Sequence, residues 1–345
     1  MTSVEDALQQ EEVTRIPRKT TRSVVLAWAR RFLVVIVIVF AAYQVARSWT
    51  EVVATVKTLS WHATAASGLT VLVGVLFGGY AWQLMVDDLG KPIGFRRGAR
   101  FYLVGQLGKY VPGSVWAYLL QMELGRKAGV PRARIFTASL ISLGVSVVAM
   151  ALLGLLALPS ILDHAPGAVW LFALLPAGLI ALHPKVLTWG ASLVLRLLRR
   201  PPLDHSLRYG LVARLLVVQV LSYLCYGLHL WLLADSVGAP GVSELMLFTG
   251  AISVGLLGGI FVFIVPSGAG VRDAILVGVL ATTLPYPQAL AFALVSRLMF
   301  TLGEVASAGI GLALPHLGRR AKAHSIGAIP RVSRPRATSD FSDSP

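Results

Sequence analysis

Charged side chains inside apolar segments are the residues of this sequence best suited to bind a polar ligand. They include Lys109, Arg272, Asp273, Arg297 and Glu304. An ionisable group within a membrane segment is costly, so it is expected to pair with another charge or to serve function. Arg297 and Glu304 are seven residues apart and therefore share a helix face, where they could pair with each other or with a neighbouring helix.

Proline and glycine interrupt two apolar segments beside these charges. Residues 105–118 read GQLGKYVPGSVWAY, and residues 265–271 read VPSGAGV. Proline removes a backbone donor and glycine permits a sharp bend, so neither segment is expected to be an ordinary spanning helix. Broken segments in corresponding halves of a membrane protein indicate a transport site.

The candidate substrate-binding residues are the five charges together with a basic-loop arginine and the residues at the two breaks. These further candidates are Pro112, Gly113, Ser114, Trp116, Arg126, Pro266, Ser267, Gly268 and Gly270. Arg272 at the start of a half-helix would form an anion site with the helix amides, whereas Asp273 could be only a cap. Lys109 could instead extend to the interface, and Trp116 could anchor the hairpin there.

Composition places most of the chain in a membrane. Of 345 residues, 56% are hydrophobic and 14% are charged, and the net charge is +15. The positive charge flanks apolar runs, which indicates membrane topology rather than nucleic-acid binding. One cysteine, Cys225, excludes a disulfide framework, and no Cys/His cluster or catalytic motif is present. We therefore expect no metal, no cofactor and no enzymatic activity.

The apolar runs predict an all-α, polytopic membrane protein with about six full spans. These are Arg30–Ala46, Trp61–Val86, Ile135–Leu158, Ala168–His183, Leu211–Ala234 and Pro287–Leu314. Val186–Leu198 is expected to be an interfacial helix or a cytoplasmic extension of the fourth span. Gly74 and Gly78 would permit close helix contact in the second span.

Charge distribution predicts two re-entrant hairpins between these spans. Phe101–Leu124 lies between two basic loops that both belong on the cytoplasmic side, and it is too short for two spans, which need about 40 residues. Glu244–Leu284 must begin and end outside, either as a second hairpin or as two full spans, which would give up to eight spans in all. With a second hairpin, residues 31–160 and 166–316 form an inverted repeat within one membrane domain, 31–316. Residues 1–30 and 317–345 are predicted to be disordered, basic cytoplasmic tails, which places both termini of a multi-pass inner or plasma membrane protein in the cytoplasm.

Two motifs resemble the lysylphosphatidylglycerol synthase transmembrane-region family. The first is GQLGKYVPGSVW, which is followed by Arg126 in a basic loop, and the second is PSGAGVRD, later in the chain. The resemblance covers the chain from about Val34 to Leu314. The family usually has Glu where Asp273 stands. The resemblance implies a flippase-like protein. Only a short tail follows Leu314, so we expect the aminoacyl-transferase domain of bifunctional relatives, and its synthase activity, to be absent.

Together these features predict a protein that moves a lipid with a polar or anionic headgroup through a cavity between the hairpins. Lys109, Arg272 and Asp273 are expected to meet the headgroup. The supporting residues would be Arg126, Arg297 and Glu304. One alternative is a membrane subunit that presents a lipid to a glycosyltransferase or another envelope enzyme; a second is a stand-alone membrane enzyme. The expected partners are membrane lipids and, in the first alternative, such an enzyme, but not nucleic acid.

Overall fold

Helices make up nearly all of the structure, a computed structural model that describes residues 49–110, 115–164, 174–197, 199, 202, 206–235, 241–261, 268 and 270–327. In chain order the α-helices are α1 (Trp49–Thr58), α2 (Trp61–Asp88), α3 (Phe95–Gln106), α4 (Trp116–Lys127), α5 (Arg132–Gly154), α6 (Leu158–His164), α7 (Leu174–Ala181), α8 (Pro184–Leu197), α9 (Tyr209–Asp235), α10 (Val242–Phe261), α11 (Val271–Leu280) and α12 (Tyr286–Gly327). Short 3-10 turns, Leu107–Tyr110 and Leu155–Ala157, follow α3 and α5. The predicted all-α fold is confirmed.

In the described part of the chain, five helical stretches are long and apolar enough to cross a membrane. They are α2, the continuous stretch Arg132–Asp163, α9, Val242–Ile260 and Tyr286–Ala313. They include the second, third, fifth and last of the predicted spans, whereas the predicted first span, Arg30–Ala46, lies outside the described residues. Helices α7 and α8 meet at an angle of 83° and would provide a sixth span if the bent pair is counted as one. Helix α8 is therefore not a straight extension of the fourth span, and its predicted interfacial position stays a prediction.

Small residues bring the central helices into close contact. A Cβ at Gly74 of α2 would lie 2.3 Å from the Tyr226 ring of α9, so α2 and α9 can approach only because glycine stands there. A Cβ at Gly227 of α9 would likewise lie 2.7 Å from the Cα of Thr249 in α10. The predicted close-contact pair, Gly74 and Gly78, therefore contacts other helices of the same chain: Gly74 faces α9, and Gly78 faces Tyr102 of α3.

The first broken segment forms two short helices that pack against each other. Helices α3 and α4 have 12 residues each, and such a helix is about 18 Å long at 1.5 Å per residue. A hydrocarbon core is about 30 Å thick, so neither helix spans it alone. A Cβ at Gly108 would lie 2.5 Å from the backbone nitrogen of Ala117, so the two arms touch through their backbones. Residues 111–114, which include the predicted turn residues, lie outside the described residues.

The second broken segment has one long arm and one short arm. Helix α10 has 20 residues, while α11 has 10 and is therefore about 15 Å long. Gly268, just before the short arm, packs against the end of α10, since a Cβ there would lie 2.8 Å from the Cα of Gly259. Helix α11 alone is too short to cross the membrane, whereas α10 is long enough, and the choice between a second hairpin and two full spans stays a prediction. The two broken segments also differ in the lengths of their arms.

The last helix is longer than the predicted last span. Helix α12 continues beyond its spanning stretch as far as Gly327, into the region 317–345 for which the sequence predicts a disordered tail. Residues 328–345, like residues 1–48, lie outside the described part of the chain. The spanning part of α12 packs against α2, α3 and α11, and so positions its charged residues between the two broken segments.

Candidate functional site

A cavity of about 350 Å³ lies between the two broken segments and the central helices. Its described lining includes three charged side chains: Lys109 from the 3-10 turn after α3, Arg272 from the first turn of α11, and Glu304 from α12. These three belong to the charges that the sequence places inside apolar segments. The fold thus brings residues almost 200 positions apart to one polar chamber.

Glu304 is a buried carboxylate that contacts Lys109 and Tyr110. Its carboxylate forms an ion pair with Lys109 and accepts a hydrogen bond from the Tyr110 hydroxyl at 2.8 Å. The Glu304 side chain is 5% exposed and that of Lys109 is 29% exposed. Lys109 therefore does not extend freely to the interface, and its charge is matched by a buried partner.

Arg272 is buried in the cavity wall with an incomplete set of partners. The residue is 7% exposed, and its guanidinium carbon lies 4.4 Å from the centre of the Phe300 ring in α12. Its Nε has no hydrogen-bond partner among the described residues. Gly255 and Gly259 of α10 leave room for it, since Cβ atoms there would lie 3.1 Å from the Arg272 carbonyl oxygen and 3.4 Å from its Cβ.

Asp273 serves both as a helix cap and as an ion-pair partner. Its carboxylate accepts a hydrogen bond from the Gly270 backbone nitrogen at 3.1 Å and pairs with Arg297 of α12. Gly270 has a φ of +85°, which glycine adopts at little cost. Asp273 and Arg297 thus hold the start of α11 against α12, next to the cavity rather than in its described lining.

These pairings leave one cation in the described lining without a carboxylate partner. Glu304 neutralises Lys109, and Asp273 neutralises Arg297. Within the described residues no carboxylate lies within ion-pair distance of Arg272. Asp273 and Glu304 attract Arg272 from beyond ion-pair distance, so a direct anionic partner at this buried charge would be favourable.

Another part of the cavity lining is polar but uncharged, and sequence reasoning missed it. Trp82 of α2 donates a hydrogen bond from Nε1 to the Ser139 hydroxyl of α5 at 2.8 Å, and Ser139 donates to Oε1 of Gln121 in α4 at 2.8 Å. Gln219 and Ser222 of α9 also line the cavity. The one signal in the sequence is the presence of glutamine and serine within apolar helices, which is common enough to be ambiguous.

The remaining predicted site residues lie in different places. Gly268 lines the cavity, and Gly270 begins α11 beside it. Trp116 is 47% exposed and is not among the described lining residues. Pro112, Gly113, Ser114, Pro266 and Ser267 lie outside the described residues.

Arg126 is on the surface, away from the cavity. Its guanidinium lies 2.6 Å from the Glu123 carboxylate, which also pairs with Arg132 at 2.8 Å. Hydrogen bonds from these two arginines lower the pKa of Glu123 to about 2. Arg126 therefore belongs to an exposed ion-pair cluster that connects α4 to the start of α5.

A buried histidine connects three spanning helices near the cavity. The Ser67 hydroxyl of α2 lies 2.6 Å from His229 Nδ1, and the Ser296 hydroxyl of α12 lies 3.0 Å from His229 Nε2. Both ring nitrogens thus have partners, so His229 serves to pack these helices together. Among the described residues, no group of three or more His, Cys, Asp or Glu side chains could hold a metal ion.

The fold and the cavity define a polytopic, all-helical membrane protein with a charged chamber between broken helical segments. Its sequence from residue 27 to 303 matches the model of the lysylphosphatidylglycerol synthase TM region. The chain belongs to this family, as the two motifs indicate. Membership connects it with lipid handling. No match was found among curated proteins.

Proposed function

We propose that this protein is a flippase-like transporter that moves a lipid with an anionic headgroup across the cell membrane. The observation that carries the proposal is Arg272, a buried guanidinium in a cavity whose other described cation, Lys109, already has a carboxylate partner. A phosphate is a suitable ligand because the planar guanidinium can donate two parallel hydrogen bonds to it. The positive end of the α11 dipole adds to the attraction.

The short helices supply a path for the headgroup. In hydrocarbon, unpaired backbone groups at the ends of α3, α4 and α11 are tolerated only where protein buries them or where they line a wet cavity. We propose that the α3–α4 hairpin enters from the cytoplasm and the α10–α11 segment from outside, as an inverted repeat with both termini in the cytoplasm. The headgroup would then pass through the chamber while the acyl chains stay in the bilayer.

Translocation in reconstituted vesicles tests this function. Fluorescent phosphatidylglycerol and fluorescent phosphatidylcholine are placed in both leaflets, and a membrane-impermeant quencher reports how fast inner-leaflet lipid reaches the outside. Wild type should accelerate movement of phosphatidylglycerol more than of phosphatidylcholine. Arg272→Gln should slow movement of phosphatidylglycerol about 10- to 100-fold, the effect of losing a hydrogen bond to a charged group.

Arg126→Gln is the matched control, because it removes the same charge from an exposed cluster outside the cavity. It should leave transport at the wild-type rate. Arg272→Lys keeps the charge but loses the planar pair of donors, so an intermediate rate is expected. Equal transport of phosphatidylglycerol by wild type and folded Arg272→Gln would refute the site.

A further inference from the structure

The cavity lining can be divided by chemistry into charged and uncharged parts. Its described charged residues come from the 3-10 turn, α11 and α12, whereas the described lining from α2, α4, α5 and α9 contains neither an acidic nor a basic side chain. That uncharged part, here called the neutral wall, carries Gln121, Ser139, Ser142, Ser146 and Gln219 among its polar members. Several of these groups bond one another: Ser146 donates to the Ser142 carbonyl oxygen, and Gln219 hydrogen-bonds Tyr223. A phosphate at Arg272 would need only the charged part, so the Gln121 amide NH₂ and the Ser142 hydroxyl are left for another part of the ligand.

Hydrogen bonding on the neutral wall orients Gln121 for a ligand. Because Trp82 has only a donor to offer, Ser139 must accept from it, and the Ser139 hydroxyl hydrogen then goes to the Gln121 side chain. This fixes the Gln121 oxygen toward Ser139. The other end of the same amide is an NH₂ group with two donors, on a residue that lines the cavity.

Ser142 belongs to the same wall and has a buried, unused hydroxyl. Its Oγ is buried and has no hydrogen-bond partner among the described residues, although the residue lines the cavity. A buried hydroxyl without a partner is destabilising unless a ligand or water completes it. Aromatic residues with polar ends, Tyr118 and Tyr223, lie on the same wall. Amides, hydroxyls and aromatic rings without charge are suited to contact hydroxyl groups.

We propose that the neutral wall is a binding subsite for the hydroxyl groups of a polyol or sugar carried by the lipid headgroup. The ligand class is then an anionic lipid whose phosphate lies at Arg272 and whose hydroxylated group contacts Gln121 and Ser142. This inference rests on the proposed function and narrows its substrate. It disfavours a cationic, aminoacylated headgroup, because Glu304, the one carboxylate of the described lining, is already bound to Lys109 and Tyr110.

A lipid series with constant charge isolates the hydroxyl contribution. Phosphatidylmethanol, phosphatidylglycerol and phosphatidylinositol each carry one phosphodiester charge, with an increasing number of hydroxyls. Their binding to the purified full chain in detergent is measured by displacement of a fluorescent phosphatidylinositol. Affinity should rise along the series, by about fivefold or more between its ends, the effect of one net hydrogen bond.

Ser142→Ala is the most informative variant, because the Ser142 hydroxyl has no described partner and its removal should not destabilise the fold. It should weaken phosphatidylinositol binding several-fold and leave phosphatidylmethanol unchanged. Thr137→Val is the matched control: Thr137 also has a buried hydroxyl without a described partner and lies in the same helix, but it does not line the cavity. It should bind all three lipids as wild type does. Gln121→Met should reduce the same preference as Ser142→Ala.

Equal wild-type binding of the three lipids would overturn the subsite. A Ser142→Ala variant with the same preference among the three lipids as wild type would also overturn it. A Gln121→Met variant that binds all three lipids more weakly by the same factor would do so too. Inositol 1-phosphate without acyl chains should not compete, and its competition at equal concentration would overturn the assignment to a lipid. The binding measurement is separate from translocation: graded binding without transport refutes the proposed function alone, and transport with equal binding refutes the subsite alone.

Discussion

Within the Lys109–Glu304 ion pair, replacing Lys109 should destabilise the protein more than replacing Glu304. Lys109→Met leaves the Glu304 carboxylate, 5% exposed, with only the Tyr110 hydrogen bond. Removing one partner of a buried pair costs about 3–5 kcal/mol. Glu304→Gln leaves a lysine that is 29% exposed and can be hydrated in the cavity, so a smaller loss of about 1–3 kcal/mol is expected.

The double variant Lys109→Met with Glu304→Gln removes both charges together. Its loss should be well below the sum of the two single losses, with a coupling energy of about 2–3 kcal/mol. The free energy of unfolding is measured by SDS titration in mixed micelles, followed by tryptophan fluorescence. Additive losses would refute the pairing. A larger loss for Glu304→Gln than for Lys109→Met would refute the argument from burial.

Three further predictions concern the hairpin contact, the start of α11 and the topology. Gly108→Ala should destabilise the protein by about 1–3 kcal/mol, because the added Cβ would contact the backbone of α4. Gly144→Ala should be neutral or stabilising, because no atom lies within 4 Å of its added Cβ. Thermal unfolding in detergent compares the two variants. Asp273→Asn should keep the helix cap and lose the ion pair, whereas Asp273→Ala loses both. The Asn variant should therefore unfold at a higher temperature than the Ala variant, with a stability difference of about 1 kcal/mol. Equal melting temperatures would contradict the cap. In a cysteine-free background, Asp163→Cys should react with an impermeant thiol reagent from outside the cell and Lys91→Cys only from inside; the opposite pattern would invert the proposed orientation.

The spans could be predicted from sequence because membrane thickness fixes their length. A run of about 20 apolar residues is long enough to cross the hydrocarbon core, and α2, α9 and α12 contain the predicted intervals. The two short helices of the first broken segment were predictable for a related reason: if both basic loops lie on one side, too few residues remain between them for two crossings. The unequal arms of the second segment were not predictable, because about 40 residues fit either a hairpin or two spans.

The partners of the charges could not be predicted from spacing alone. The interval of seven residues places Arg297 and Glu304 on one face of α12, but it does not specify what lies opposite. The tertiary fold places Asp273 against Arg297 and Lys109 against Glu304. The neutral wall was missed because Gln121, like the serines of α5, becomes notable only once packing shows which residues share a cavity.

Photo-crosslinking of an anionic lipid tests the central claim most directly. A phosphatidylglycerol with a photoreactive headgroup is bound to the membrane-embedded protein, irradiated, and its attachment sites are mapped by mass spectrometry. Crosslinks should concentrate in the cavity-lining parts of α4, α5 and α11, and should fall at least about tenfold in Arg272→Gln, as expected for a lost charged hydrogen bond. Crosslinks confined to the exposed surface of α12 around Leu298 and Leu302, and insensitive to Arg272→Gln, would contradict a lipid path through the cavity.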